Sequence, residues 1–299
     1  MRDLAFYNRV AVNKMSKNRI TIWLGGLVIV GLGLAFLFFF VLAPAKPTPT
    51  LLAQSRPNQA NTGQTLPTLN LDPTAASRVG DEYMALGDSV AFGVGASPPE
   101  QSGYAAVFYY QYLKQIRPEG LTYLNLAIPG ETAATFINRP KAKSQLDKAL
   151  TEIDAAAQAG KRVSPITLTI GGNDVIGARG ASDTVKEATL QQFDTNFQKI
   201  LDQLVAHTGG KSDIIVTTYY NPFGDGQSQS SDTTWAVRFN SLISQRATER
   251  NLKVADFYQP VLGREKDLTW IASGDIHPNI AGHALLANQV WLASGYGRK

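Results

Sequence analysis

From Asp81 to the end of the chain, short apolar runs rich in β-formers alternate with longer amphipathic stretches. The strand candidates are residues 82–87, 121–127, 165–170, 213–219 and 252–256, and the helix candidates are residues 103–117, 145–159, 185–207, 233–250 and 279–293. This alternation predicts an α/β domain over residues 81–299, with a five-stranded parallel sheet that helices cover on both faces. In such a sheet, ligands bind at the carboxyl ends of the strands, so the pattern also predicts where a site must lie.

Two further segments precede this domain. Residues 20–43 are almost wholly apolar and carry no charge. As a helix they would extend about 36 Å, enough to cross the roughly 30 Å hydrocarbon core of a bilayer, so we predict an uncleaved transmembrane helix. A cleaved signal peptide is the alternative, although its apolar region is usually only about 7–15 residues long. Residues 44–80 are rich in Pro and Thr and show no helical or strand period, which predicts a disordered linker.

The charge distribution gives an orientation and excludes some partners. Residues 1–19 contain five basic residues and one acidic residue, so the positive-inside rule predicts a cytoplasmic tail and an extracytoplasmic domain in the cell membrane. Eight of the 28 Lys and Arg residues, but only two of the 24 Asp and Glu residues, lie in residues 1–80. The domain therefore has no basic excess, and we expect no nucleic-acid partner.

Residue types also limit the chemistry. The chain has no cysteine, which excludes disulfides, thiolate metal sites and a cysteine nucleophile. It has only three histidines, and no spacing suggests a metal site, so we predict neither a metal nor a cofactor. The sequence gives no indication of the oligomeric state.

Glycine and polar residues follow four of the predicted strands. Ser89, Gly130, Asn173 and Asn221 each come directly after a strand candidate, so they should meet at one edge of the sheet. A serine between a strand end and a glycine-rich loop is a candidate nucleophile, whereas a lone Gly-Asp-Ser is equally typical of an ordinary turn. The combination of the four positions favours a site.

A nucleophilic serine needs a base, and its tetrahedral intermediate needs hydrogen-bond donors for the oxyanion. His277 is the candidate base for Ser89. The backbone N–H groups of Ser89 and Gly130 and the side-chain amide of Asn173 are the candidate donors. Asp88 and Asp174, which lie beside these residues, are expected to brace their loops by accepting backbone hydrogen bonds rather than to transfer protons.

Asp275 lies two residues before His277, and Pro278 favours an extended backbone at His277. In an extended segment, residues i and i+2 face the same side, with Cα atoms about 6.6 Å apart. We therefore predict that Asp275 orients the imidazole of His277. The alternative is a Ser–His dyad in which a backbone carbonyl orients the ring.

The order of these blocks resembles that of the SGNH/GDSL hydrolase family over about residues 81–299. Gly-Asp-Ser comes near the start of the domain, and residues 126–130, 170–174 and 275–279 look like the later blocks. One difference is that the family usually places its aspartate three residues before the histidine, where this chain has Gly274.

The resemblance implies a flavodoxin-like three-layer α/β/α sandwich and ester hydrolysis through an acyl-serine intermediate, with no cofactor. Ser89, Gly130, Asn173 and His277 carry over as nucleophile, two oxyanion donors and base. We therefore expect a membrane-anchored, extracytoplasmic serine esterase or lipase whose substrate is an ester of a lipid or an O-acylated glycan. Two alternatives stay open: an acyltransferase with the same site, and a catalytically silent glycan-binding module. A silent module has no need of the intact serine, asparagine and histidine.

Overall fold

The computed structural model describes residues 69–140, 142–223 and 230–298. The predicted cytoplasmic tail, the predicted transmembrane helix and most of the predicted linker lie outside these residues. Within the described ranges, no helix combines the length and apolar character needed to cross a membrane.

Five strands form one parallel sheet in the order β2-β1-β3-β4-β5, and this confirms the predicted sheet. The strands are β1 Glu82–Gly87, β2 Thr122–Asn125, β3 Val163–Thr169, β4 Ile214–Thr217 and β5 Lys253–Ala255. The strands β2, β4 and β5 are shorter than the apolar runs that predicted them. Beyond β2 and β4, single hydrogen bonds still join the chain to the neighbouring strands, from the Leu126 N–H to the Ala85 carbonyl and from the Thr218 N–H to the Ala255 carbonyl.

The helices lie between the strands, close to the predicted positions. The α-helices are α1 Ala75–Arg78, α2 Ser89–Phe92, α3 Pro99–Ser102, α4 Tyr104–Val107, α5 Lys114–Ile116, α6 Ala133–Ile137, α7 Gln145–Gln158, α8 Gly172–Gly177, α9 Asp183–Thr208, α10 Ser231–Thr248, α11 Glu265–Leu268 and α12 Ile280–Ser294. A π-helix, Phe108–Leu113, joins α4 to α5, and Ile271–Ser273 form a 3₁₀ turn. The predicted helix 103–117 is therefore present but not regular: the consecutive aromatic residues Phe108 and Tyr109 are both buried inside its π-helical turn.

Two helical layers enclose the sheet. The last helix, α12, packs on α4 and on β4 and β5, whereas α9 packs with α7 and α10 on the opposite face. The strand order requires this division, because right-handed crossovers put the β1–β2 connection on one face and the later connections on the other. The order is that of flavodoxin-like sheets, in which the ligand crevice opens at the carboxyl ends of the strands beside the point where the order reverses. Here that point lies between β1 and β3.

The last part of the predicted linker differs from the prediction. Residues 69–80 pack against the C-terminal segment: the Asp72 N–H donates to the Tyr296 carbonyl over 2.8 Å, Leu71 forms an antiparallel bridge with Gly297, and the Arg78 guanidinium lies 4.7 Å from the centroid of the Tyr296 ring. The described fold therefore includes residues 69–80, whereas the prediction began the domain at residue 81. No periodic pattern marked this segment, because its partners lie far away in the chain, both in the C-terminal segment and at Arg162 and Ser164.

Candidate active site

The turn after β1 places Ser89 at the first residue of α2. Asp88 caps this helix, and its carboxylate accepts a hydrogen bond from the Val90 N–H over 2.9 Å. Gly87 has a φ of +134°, and a Cβ at this position would lie 1.9 Å from the Thr169 carbonyl oxygen of β3. Only glycine permits this close approach of β1 and β3, so the Gly-Asp-Ser sequence has a local structural reason at its first two positions.

Ser89, His277 and Asp275 form a continuous chain of hydrogen bonds. The distance from His277 Nε2 to Ser89 Oγ is 2.8 Å, and the distance from His277 Nδ1 to Asp275 Oδ1 is 2.6 Å. The same carboxylate oxygen also accepts the His277 backbone N–H over 3.0 Å. The partner of His277 Nδ1 in the structure is therefore the Asp275 carboxylate, and not a backbone carbonyl as in the alternative of a Ser–His dyad.

The loop that carries His277 is fixed at both of its ends. The Trp270 N–H donates to the His277 carbonyl over 2.9 Å, and Thr269 forms a bridge with Pro278. The Tyr220 hydroxyl donates to the Ile276 carbonyl over 2.8 Å. These contacts set the position of the imidazole before any substrate binds.

Gly130 and Asn173 lie beside Ser89 and line the same cavity. Asn173 stands in the first turn of α8, and its Nδ2 donates to the Glu131 carbonyl over 2.8 Å. Because an amide nitrogen carries two N–H groups, this side chain can hold the Gly130 loop and still donate to a ligand. Gly130 has a φ of +81°, while a Cβ there would meet nothing within 4 Å, so conformation rather than crowding favours glycine at this position.

Gln145, which the sequence did not single out, joins the nucleophile turn to the loop of Gly130. This buried side chain accepts from the Gly87 N–H over 2.6 Å and donates to the Gly87 carbonyl over 2.9 Å. Its amide nitrogen also lies 3.1 Å from the carboxylate of Glu131, which is itself buried. No local signal marked Gln145, because it opens α7 and its partner Gly87 lies 58 residues away.

Tyr219, at the end of β4, is a second residue that the sequence did not single out. Its hydroxyl donates to the Asp88 carboxylate, and its ring lies so close to Gly172 that a Cβ there would be 2.6 Å from the ring. The side-chain amide of Asn240 bonds to both the N–H and the carbonyl of Tyr219, over 2.8 and 2.7 Å. Tyr219 therefore connects the nucleophile turn after β1 with the Asn173 turn after β3.

The two aspartates beside the site occupy the bracing positions expected of them. Asp88 is buried, and burial raises its pKa to about 7 although the hydrogen bond from Tyr219 opposes that rise. Asp174 accepts the Ala133 N–H over 3.1 Å, and its burial raises its pKa to about 6. Neither carboxylate contacts the Ser89 hydroxyl or the imidazole of His277 in any hydrogen bond within the described residues.

The Asp88→Asn variant should gain stability over the wild type as the pH rises from about 4 to about 7. In this range the folded wild type still holds the Asp88 proton, whereas the unfolded chain, with a usual pKa of 3.8, has released it. The free energy of unfolding of the wild type therefore falls with rising pH. The variant has no such titration, and its Oδ1 can still accept from Val90. At about 1.4 kcal/mol per pKa unit, the difference should reach at most about 4 kcal/mol.

Urea unfolding of both full-length proteins between pH 4 and pH 8 measures this difference. Subtracting the wild-type free energy of unfolding from that of the variant at each pH cancels the contribution of every other titrating group, because both chains contain them. One of these is His283, whose burial lowers its pKa to about 4 and so gives the opposite slope. A difference that does not change with pH would show that Asp88 stays ionised when folded.

His283 packs between two segments on the α4 side of the sheet. Its Nδ1 accepts from the Tyr104 N–H over 3.1 Å, and its Nε2 donates to the Val94 carbonyl over 2.9 Å. Both ring nitrogens are thus used within the fold, in agreement with the interpretation of His283 as a packing residue. Among the described residues, no group of three or more His, Asp or Glu side chains is arranged to hold a metal ion.

A flavodoxin-ordered sheet with Ser89, Gly130, Asn173 and His277 gathered at its carboxyl edge defines an α/β domain of the SGNH type. The chain belongs to the GDSL-like lipase/acylhydrolase family, whose model matches residues 85–285. This confirms the resemblance read from the sequence blocks.

Three proteins are similar to this chain over nearly the whole of their own length. The spore germination lipase LipC of Bacillus licheniformis is 25% identical over 225 residues, covering 73% of this chain and 97% of LipC. The crystal structure of the lipase Lip_vut3 from a goat rumen metagenome matches with a TM-score of 0.57 at 23% identity, covering 73% of this chain and 98% of that chain. The acetylxylan esterase Axe2 of Geobacillus stearothermophilus matches with a TM-score of 0.53 at 22% identity, covering 74% of this chain and 98% of that chain. The two structures are similar to this chain in fold.

Proposed function

We propose that this protein is a serine ester hydrolase that works through an acyl-Ser89 intermediate. The observation that carries the proposal is the pair of hydrogen bonds in which His277 Nδ1 donates to Asp275 and His277 Nε2 accepts from Ser89, in the wall of the cavity that Gly130 and Asn173 also line. A binding module would not need a serine hydroxyl hydrogen-bonded to an oriented imidazole. The names of the relatives support the same chemistry, because a lipase and an acetylxylan esterase both cleave carboxylic esters.

In the acylation step, Ser89 Oγ attacks the carbonyl carbon of the ester while His277 Nε2 accepts the serine proton. The negative charge that develops on the carbonyl oxygen is stabilised by the N–H groups of Ser89 and Gly130 and by the amide of Asn173. His277 then donates the proton to the departing alcohol as the carbon–oxygen bond breaks. Asp275 holds the ring and stabilises its protonated form.

In the deacylation step, His277 removes a proton from water, and the resulting hydroxide attacks the acyl-Ser89 carbonyl carbon. Collapse of the second tetrahedral intermediate releases the carboxylic acid and returns the proton from His277 to Ser89. An alcohol that replaces water at this step would give an acyltransferase. The same five residues serve both outcomes.

We also propose that the domain acts outside the cytoplasmic membrane, anchored by residues 20–43. The support is the uncharged apolar run of 24 residues and the five basic residues that precede it.

A serine-directed phosphonate probe that cannot cross membranes tests both proposals on cells that express the full-length chain. We expect the probe to label the wild type on intact cells at Ser89, and not to label a Ser89→Ala control. Labelling only after lysis would contradict the location but not the serine mechanism. If a folded chain were unlabelled both before and after lysis, Ser89 would not be an activated nucleophile.

A further inference from the structure

The cavity that opens beside Ser89 has a volume of ≈ 320 Å³. Besides Ser89, Gly130, His277 and residues near them, its walls come from three elements that follow β3 and β4: helix α8, the segment after β4, and helix α10. The apolar and aromatic side chains of these walls are Val175, Ile176, Tyr219, Tyr220, Ala236 and Phe239. Most of these side chains are nearly fully buried, so the cavity reaches inward from the catalytic edge.

The polar groups in these walls already have partners within the protein. The Tyr219 hydroxyl donates to Asp88, and the Tyr220 hydroxyl donates to the Ile276 carbonyl over 2.8 Å. The Asn240 side-chain amide is held by both backbone groups of Tyr219. The tyrosines therefore present mainly the carbon faces of their rings to the cavity. A sugar ring, whose hydroxyls need hydrogen-bond partners when buried, would lose those bonds here, whereas a hydrocarbon chain would not.

His277 also lines the cavity, and it is the exposure of the lining residues that distinguishes the two halves of an ester. The departing alcohol must lie near His277, whose side chain is 20% exposed and whose partner Asp275 is 50% exposed, so this side faces solvent. Ala236 and Phe239, on the inner wall, are 4% and 1% exposed. The acyl chain, which leaves the carbonyl carbon in another direction from the alcohol, then extends into the cavity.

We propose that this cavity binds the acyl chain of a medium-chain fatty ester of about eight carbons, and that Ala236 forms part of its inner wall. The proposal rests on the serine hydrolase function proposed above and specifies its substrate class. A cavity of roughly 150 Å³ holds a six-carbon benzene molecule, so about twice that volume accommodates eight carbons together with the ester group. An acetyl group would leave most of the cavity unfilled.

The test compares p-nitrophenyl acetate, octanoate and palmitate as substrates of the full-length protein in lipid nanodiscs, with octyl acetate as a fourth substrate. Each methylene that becomes buried favours binding about fourfold, so kcat/KM for octanoate should exceed that for acetate at least tenfold. We expect palmitate to be cleaved more slowly than octanoate. Octyl acetate carries its long chain on the alcohol side, so its kcat/KM should fall well below that of ethyl octanoate, an alkyl ester with an equally poor leaving group that is assayed beside it.

Ala236→Phe fills the cavity and should lower the octanoate-to-acetate ratio of kcat/KM at least tenfold. The matched control is Val237→Phe, the same aromatic residue at an exposed neighbouring position on α10, which should leave the ratio within twofold of the wild type. Should Ala236→Phe fail to fold, Ile176→Trp at the half-buried side of the cavity provides the same comparison.

A wild type that cleaves acetate faster than octanoate would overturn the acyl-chain proposal and leave the hydrolase proposal standing. A higher kcat/KM for octyl acetate than for ethyl octanoate would place the chain of the alcohol in the cavity. That result would also overturn the acyl-chain proposal. If a folded Ala236→Phe variant kept the octanoate-to-acetate ratio of kcat/KM of the wild type, Ala236 would not line the site that binds the acyl chain. Failure of the folded wild type to cleave any of these esters would instead contradict the proposed hydrolase function.

Discussion

Replacing Ser89 with alanine is expected to lower kcat for ester hydrolysis about 10⁴-fold or more while the protein stays folded. The substitution removes the only atom of Ser89 that bonds to His277, and without it no acyl-enzyme can form. Activity that remains would come from oriented water and the oxyanion donors, and in other serine hydrolases this is smaller by several orders of magnitude. Steady-state hydrolysis of p-nitrophenyl butyrate measures the loss, and circular dichroism and the Tm measure the fold.

Ser241→Ala is the matched control for this experiment. Ser241 lies on the exposed side of α10, and its hydroxyl donates to the Val237 carbonyl of its own helix. Its kcat should stay within twofold of the wild type. If the Ser89→Ala variant kept more than a tenth of the wild-type kcat, the nucleophile would have to be a different group.

Replacing Asp275 with alanine should lower kcat about 10³-fold, and replacing it with asparagine should lower kcat by a smaller factor. One oxygen of Asp275 accepts both the Nδ1–H and the backbone N–H of His277. Asparagine can keep both hydrogen bonds through its Oδ1 and loses only the negative charge that stabilises the imidazolium. Alanine loses the charge and the orientation together. Because the Asp275 side chain is 50% exposed, water weakens its interaction with the ring, and the loss should be smaller than the roughly 10⁴-fold known for a buried triad aspartate.

The measurement is kcat for both variants over a range of pH. The asparagine variant should fall between the wild type and the alanine variant at every pH. Alanine and asparagine variants that both stay within threefold of the wild type would favour the Ser–His dyad. An asparagine variant as impaired as the alanine variant would show that charge, rather than orientation, is what Asp275 supplies.

The features that the sequence could predict are those encoded by neighbouring residues. The strands follow from short apolar runs, and Ser89, Gly130 and Asn173 follow from turns directly after those strands. Asp275 could be predicted as the partner of His277 because an extended backbone brings residues i and i+2 to one side. In each of these cases a few consecutive residues carry the whole signal.

The features that the sequence did not predict depend on contacts between distant parts of the chain. Gln145 reaches Gly87 from 58 residues away, and Tyr219 reaches Asp88 from 131 residues away. Residues 69–80 were predicted as linker because they have no periodic pattern of their own. They pack through contacts with distant segments such as the C-terminal one. The cavity likewise depends on residues of both α8 and α10, which lie far apart in the sequence.

The Gln145 side chain has a consequence for how the protein responds to heat. It opens α7, where Ser144 caps the helix, and it bonds at once to Gly87 and to Glu131. The first turn of a helix opens more readily than the interior of a sheet. Opening of that single turn would release the nucleophile turn and the oxyanion loop together, while β1 and β3 stay paired. Inactivation on warming would then begin as a reversible, local event at lower temperature than the loss of the sheet, and cooling would restore the site without refolding the domain.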